Sequence, residues 1–172
     1  MNNPASLKNK TIIITGAAQG VGKALMDCAI EMGACVSAVD INESALNESL
    51  DQYTNSQAAG FVGDITSEAF MESVINGTVE AFGDINGLLN NAGIVRASMI
   101  TDMSREQWQA VIDVNLTGAF ICLQAVGRFL VEKAKNGNPN PGSIVNVSSE
   151  AGRRGTVGQI NYGAAKSGVL GL

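Results

Sequence analysis

The chain has no histidine in 172 residues. That absence excludes Ser-His-Asp hydrolysis, histidine acid/base work and most zinc sites together. Cysteine is scarce as well. Cys28, Cys35 and Cys122 lack ligand-like spacing and have apolar neighbours, so they are expected to be core thiols in a reducing compartment. Positive charge is also in short supply: 11 Lys and Arg against 16 Asp and Glu give a net charge of -5. Nothing offers a stripe that could neutralise phosphates, so nucleic acid is not an expected partner. No apolar run reaches the length of a membrane span, and the Met1–Lys10 start is too polar for a secretory leader. With 45% hydrophobic and 16% charged residues, residues 1–172 read as one cytoplasmic globular domain. No metal site is expected. The chemistry must come from Tyr, Lys, Ser, Asn or carboxylates.

What is present is an alternation of strands and helices. Thr11-Ile12-Ile13-Ile14 reads as a buried first strand that runs into a glycine-rich turn. Val21, Leu25, Cys28, Ala29 and Met32 then recur at helical spacing until Gly33 stops the helix. Cys35 to Val39 is a second strand with Asp40 at its end, followed by a polar helix from about Asn42 to Tyr53. A third strand covers Ala59 to Val62. The helix after it, from about Ser67 to Phe82, carries Phe70, Val74 and Ala81 on one face, with Ser67 as a candidate cap. Leu88 to Asn90 is strand four, and a long helix covers about Arg105 to Lys135 with Trp108, Val111, Ile112, Ala119 and Leu123 on its stripe. After the turn-rich Asn136–Gly142, strand five spans Ser143 to Ser148, and a last helix begins near Gly158. Five strands alternating with helices predict an α/β fold, a doubly wound parallel sheet with helices on both faces. In such a sheet the ligand crevice lies beyond the carboxyl ends of the strands.

The chemically suggestive residues cluster at those ends. Thr15-Gly16-Ala17-Ala18-Gln19-Gly20-Val21-Gly22 joins the first strand to its helix, where glycines let backbone approach a pyrophosphate at a helix N-terminus. It is not a P-loop, because Ala17 and Ala24 replace the first Gly and the magnesium-holding Ser or Thr. Asp40, 18 residues beyond Gly22, can accept from ribose hydroxyls and repel a 2′-phosphate, or cap the following helix. Asp64 can accept from an adenine amino group or start a helix, and Asn90-Asn91-Ala92-Gly93 either places two amides and a glycine beside the first glycine turn or is a plain strand-end turn. Asn115 lies on the buried stripe of the long helix, where an amide costs roughly 1–3 kcal/mol unless bonded, so a definite partner or structural water is expected. Ser149 lacks a histidine base and suits donation to a carbonyl oxygen, with Ser148 beside it as a structural counterpart. Tyr162 and Lys166 stand four apart, on one face if helical. A free phenol is a poor proton shuttle at neutrality, and a fixed cation nearby favours its phenolate.

Taken in this order, Thr15–Gly22, Asp64, Asn90–Gly93, Asn115, Ser149 and Tyr162 with Lys166 resemble the short-chain dehydrogenase/reductase family, most nearly its 3-oxoacyl-thioester reductases. The resemblance implies a Rossmann fold, a nicotinamide cofactor and a carbonyl/secondary-alcohol substrate. It implies Tyr162 as general acid/base, Ser149 as the carbonyl polariser, and Lys166 as the group that lowers the Tyr162 pKa and holds the nicotinamide ribose. Asn115 fixes a water in a proton relay, and Asn91 is the amide nearest the adenosine ribose. The implied cofactor-binding set is Thr15, Gly16, Gln19, Gly20, Val21, Gly22, Asp40, Ile41, Asp64, Ile65, Asn91, Ala92 and Gly93, with Tyr162 and Lys166. Asp40, and Gln19 where an Arg could have stood, favour NAD(H) over NADP(H), whereas many 3-oxoacyl reductases of this type favour NADPH. Arg153 and Arg154 are either contacts for an anionic carrier or solvated loop charges.

Three readings compete: an NAD-dependent oxidoreductase acting on a 3-oxoacyl thioester or another secondary alcohol, a non-catalytic dinucleotide sensor, and a nucleotide-sugar epimerase or dehydratase. The intact Asn115, Ser149, Tyr162 and Lys166 favour the first. Family chains normally continue past this point, and Val169-Leu170-Gly171-Leu172 ends without a polar stop. The expectation is an N-terminal portion of a longer protein that forms homodimers or homotetramers, the 172-residue piece alone being poorly soluble and inactive.

Overall fold

The computed structural model describes residues 5–172; the first four residues of the polar Met1–Lys10 start lie outside the described residues. Five parallel strands form one sheet: β1 (Thr11–Thr15), β2 (Cys35–Asp40), β3 (Ala58–Val62), β4 (Gly87–Asn90) and β5 (Ser143–Asn146), in the order β3-β2-β1-β4-β5. Register is set by Thr11 opposite Cys35, Val36 opposite Ala58, Ile12 opposite Gly87, and Gly87 opposite Ser143. Strand order reverses between β1 and β4, which opens the crevice there.

Helices cover both faces: α1 (Gly20–Glu31) and α2 (Glu43–Leu50) on one, α3 (Glu68–Phe82) and α5 (Ala119–Lys135) on the other. The period-2 pleat of β1 feeds both layers. Ile12 and Ile14 join Met26, Ile30, Val36 and Leu46, while Ile13 joins Met71, Val74, Leu88, Cys122 and Val126. Burial pushes the Cys122 thiol up to about 12, which leaves it a core thiol as expected. Cys28 departs from expectation, being exposed on α1 with Cys35 half-buried. The buried α1 positions are Gly22, Met26, Ala29 and Ile30; Leu25, Cys28 and Met32 instead border an apolar hollow over β4 and the edge strand β5.

Several boundaries move for local reasons. Asn42 caps α2 with its side chain and Ser67 caps α3, so the second helix starts one residue later than expected and stops at Leu50. On α3, Ala81 faces solvent. The long helix is three pieces: α4 (Arg105–Ile112), a π turn over Asp113–Gly118, and α5. A π turn inserts extra chain. The buried positions Val111, Asn115, Ala119, Cys122, Val126 and Leu130 accordingly recur slightly more slowly than 3.6 residues, and Trp108 falls outside the stripe. This combined helix does carry a window of mean hydropathy 1.5, long and apolar enough to cross a membrane, contrary to the sequence expectation. Ile121, Cys122, Val126 and Leu130 bury that apolar side against the sheet.

A short helix, α6 (Glu150–Arg154), stands where a loop was expected, and both arginines pair with Glu150. The last helix, α7 (Ile160–Leu170), starts after Gly158, whose φ of 74° is incompatible with helix. α6 sits directly on the backbone of α7: a Cβ at Gly152 would lie 2.6 Å from the Lys166 carbonyl carbon and 2.8 Å from Ser167 N. Backbone cannot yield there as a side chain could. Gly152→Ala is expected to cost about 1–3 kcal/mol, measured as a lower urea midpoint at unchanged slope. An unchanged midpoint would show that α6 is not seated as described.

Candidate active site

The turn after β1 is built around backbone crowding. Gly16 and Gly20 adopt φ of 68° and 57°, left-handed values that suit glycine. A Cβ at Gly22 would collide with the Gly16 carbonyl and come within 2.7 Å of Asn91 Nδ2. Gln19, at the N-cap of α1, makes no capping bond, which leaves its side chain unspent. Asp40 holds the turn in place: its Oδ2 accepts from Ala18 N at 3.0 Å and its Oδ1 from Asn42 N at 3.0 Å. Capping of α2 falls to Asn42, so Asp40 is left facing the crevice. Asp64 Oδ1 accepts from Thr66 N at 2.9 Å and shapes the turn before α3 without capping it.

The segment after β4 is stitched to this turn. Thr15 Oγ1 accepts from Asn91 N at 3.0 Å and from Ala92 N at 3.1 Å, while Asn91 Nδ2 donates to Thr15 O at 3.0 Å. Asn90, 4% exposed, donates through Nδ2 to Ala119 O at 2.7 Å and to Asn146 Oδ1 at 3.1 Å. The result is a cleft of about 670 Å³ lined by Gly16, Gln19, Gly20, Val21, Gly22, Asp40, Ile41, Asp64, Ile65, Asn91, Ala92 and Gly93. Thr15 supports this cleft from below and is fully buried. Val39, Asn42, Gly63, Ile94, Arg96 and Val114 also line it, and sequence reasoning missed them. Adjacency to the strand ends was the signal that could have found the first three.

Asn115 sits fully buried in the π turn, and its partner is protein. Oδ1 accepts from Ile94 N at 2.7 Å, and Nδ2 donates to Ile94 O at 2.9 Å. Both ends of the amide thereby bond to one residue of the loop that leaves Gly93. Gly93 joins the two regions: a Cβ there would lie 3.1 Å from Asn115 Oδ1 and 3.6 Å from Lys166 Nζ.

The adjacent serines divide their work. Ser148 Oγ donates to the Lys166 carbonyl at 2.7 Å, so its proton is committed. Ser149 Oγ accepts from Ala151 N at 3.2 Å as the cap of α6, which leaves its own proton to donate elsewhere. Lys166 is 4% exposed; its Nζ donates to Val147 O at 2.8 Å and lies 5.9 Å from the Tyr162 ring centroid. It makes no ion pair among the described residues, and burial pulls its pKa below the ordinary 10.5. The Tyr162 side chain is half-buried, and its hydroxyl makes no hydrogen bond among the described residues.

The family model for short chain dehydrogenases matches residues 10–172. The chain belongs to that family. Among curated relatives, the 3-oxoacyl-[acyl-carrier-protein] reductase FabG of Thermotoga maritima is 39% identical over 96% of this chain and 66% of its own length. The (2S)-[(R)-hydroxy(phenyl)methyl]succinyl-CoA dehydrogenase subunit BbsD of Thauera aromatica is 36% identical over 96% of this chain and 65% of its own. The crystal structure of a short chain dehydrogenase from Mycobacterium avium superposes with a TM-score of 0.87 at 35% identity, covering 95% of this chain and 60% of that one. This short-chain dehydrogenase chain thus spans about two thirds of the length of the curated relatives it matches.

A buried ammonium without a carboxylate has a stability signature. Lys166 titrates lower in the folded chain than in the unfolded one, so the folded chain binds fewer protons between the two values. Below that window both states are charged and the full burial penalty applies; the penalty fades as pH rises through it. Lys166→Met is therefore expected to raise the melting temperature of the cofactor-free protein at pH 7, by an amount that shrinks toward pH 10. A lower melting temperature across that whole range would contradict the account.

Proposed function

We propose that the protein is a nicotinamide-dependent oxidoreductase that interconverts a 3-oxoacyl thioester and its 3-hydroxy form, acting in the cytoplasm. The observation that carries the reading is the division of labour around α7: Ser148 is committed to the Lys166 carbonyl, while the Ser149 proton and the Tyr162 hydroxyl are unspent. A dinucleotide would occupy the cleft of about 670 Å³, with Gly16 and Gly22 keeping the turn after β1 tight and free of side chains. The backbone from Gly16 to Gly22 would cradle the pyrophosphate at the start of α1. Asp40 would accept from the adenosine ribose, Asp64 and Ile65 would border the adenine, and Lys166 would hold the second ribose. When bound, the nicotinamide supplies or takes up the hydride.

The chain's own residues would handle the proton. Ser149 Oγ–H donates to the substrate carbonyl oxygen and polarises it. Tyr162 gives its proton to that oxygen as the alcohol forms, and removes it in the reverse direction. Lys166 keeps a positive charge beside the phenol. Asn115, which ties down Ile94 with one N–H and one lone pair, would fix a water in a proton relay through its remaining groups. Thioester chemistry is supported by the names of the relatives, one acting on an acyl-carrier-protein thioester and one on a coenzyme A thioester. It is also supported by an apolar hollow beside α6 and α7: Met99 and Val157, 53% and 84% exposed, line it on two loops joined by Ser98 N donating to Gly158 O at 2.8 Å. The alternative substrate within the family is a simpler secondary alcohol. Two or four copies are the proposed assembly.

Tyr162→Phe in the full natural chain is expected to reduce 3-oxoacyl-thioester turnover about 10²–10⁴-fold, with the cofactor dissociation constant nearly intact. Near-normal turnover would refute the role of the phenol, and activity confined to small ketones or steroid alcohols would refute the substrate class. Asp40 and the unspent Gln19 support a preference for NADH over NADPH. Titration by cofactor fluorescence is expected to show about tenfold tighter NADH binding, about 1.4 kcal/mol, with the ratio narrowing in Asp40→Ala. Tighter NADPH binding by the unmodified protein would overturn this preference.

A further inference from the structure

The residue before Tyr162 is Asn161, which has no part in the proposed proton transfer. Asn161 is fully buried. Its Nδ2 donates to Arg96 O at 2.9 Å and to Gln107 O at 3.1 Å, and its Oδ1 accepts from Tyr162 N at 2.8 Å. That last bond solves a local problem. The first intrahelical bond of α7 is Gly163 N to Gln159 O, so the Tyr162 amide has no carbonyl one turn earlier. Gln159, at the N-cap, supplies no side-chain bond either. Asn161 caps the amide from inside the first turn and uses both of its N–H donors to grip two other elements.

One of those elements is the loop after Gly93. Asn115 grips it at Ile94, Asn161 at Arg96, and the Ser98–Gly158 bond closes it two residues further on. Ile94 and Arg96 also line the cleft. The helix that carries Tyr162 and the loop that borders the cleft are therefore registered through a buried side-chain amide, alongside the Ser98–Gly158 backbone bond, and that amide reaches α4 as well at Gln107.

We propose that Asn161 is a positioning residue: it sets the Tyr162 main chain against the Ile94–Ser98 loop, and so fixes where the phenol stands relative to a carbonyl held at that loop. The catalytic half of this inference rests on the dehydrogenase reading; the clamp itself does not.

The test uses Asn161→Ala and Asn161→Asp in the full natural chain, with kcat normalised to cofactor-binding sites and amide hydrogen exchange measured alongside. The alanine variant is expected to lose about 10- to 100-fold in kcat, with cofactor affinity changed less than about twofold. Its exchange should quicken in segments 94–100 and 160–166 and not across the sheet. The aspartate variant discriminates further. Protonated, its carboxyl can accept from Tyr162 N and donate to one carbonyl; ionised, it has no donor for either. Its activity should fall with rising pH through an ionisation that the unmodified enzyme lacks. Unmodified kcat and pH profile per cofactor-binding site in both variants would overturn the proposal, whether or not the melting temperature drops. Locally quickened exchange in a protein without any turnover would uphold the clamp and reject the dehydrogenase reading.

Discussion

The interaction on which the site depends is the capture of the chain as it leaves β4. A parallel sheet satisfies backbone groups only where its ladder runs, and at the carboxyl ends they need other partners. Here the partners are side chains that carry donors and acceptors together. Thr15 Oγ1 takes the amides of Asn91 and Ala92, Asn90 bridges to Ala119 O and Asn146, and Asn115 closes both polar groups of Ile94. Each bond adds about 0.5–1.5 kcal/mol net, but leaving one of these buried groups unpaired costs about 1–3 kcal/mol. Necessity, more than gain, makes the arrangement rigid. Cleft geometry is a by-product of meeting that requirement.

Asparagine and threonine also suit the site electrically. Around Tyr162 and Lys166 the contacting groups are Val147 O, Ser148 and the Asn161 amide, none of which ionises near neutrality. A carboxylate beside Lys166 would have neutralised its charge and raised its pKa; instead burial lowers it. The positive charge is left available to the phenol and to whatever anion or hydroxyl enters the cleft. With no histidine in the chain, the ammonium of Lys166 lies 5.9 Å from the Tyr162 ring centroid without a competing ionisable partner.

How much of this was legible in the sequence follows from which features have a period. Ile12, Ile13 and Ile14 announced a two-sided strand, and the glycine turn, Asp40 and the Asn-Asn-Ala-Gly segment fell at strand ends because alternation located those ends. The π turn had no such signature: the weak helix formers of Asp113–Gly118 sit inside one long apolar stripe, and only the slowed burial spacing betrays it. α6 was hidden because five residues containing Gly152 and two arginines read as loop; what makes them helical is the Ser149 cap and the seat on α7. Asn161 was invisible for a different reason. Its three bonds go to Arg96, Gln107 and its own neighbour, and sequence distance conceals the first two. The partner of Asn115 was hidden likewise: burial predicted a definite partner but could not say that it would be Ile94.

A last step concerns where the chain tolerates unfavourable terms. Local rules favour an unbroken helix at 105–135, a paired lysine and larger residues than glycine at 22, 93 and 152. Each departure falls at the carboxyl edge of the sheet, and each leaves open something the site needs. The π turn lets Asn115 reach Ile94, the unpaired Lys166 keeps its charge, and the glycines allow backbone approach. Away from that edge the chain is conventional: two apolar layers, and salt bridges such as Lys133 to Asp84 at the opposite end of β4. The core on both sides of β1 supplies the cohesion against which these local costs are set. Violations confined to one edge of an otherwise consistent domain are the mark of a functional site, and they gather around the space between Gly16, Gly93 and Lys166.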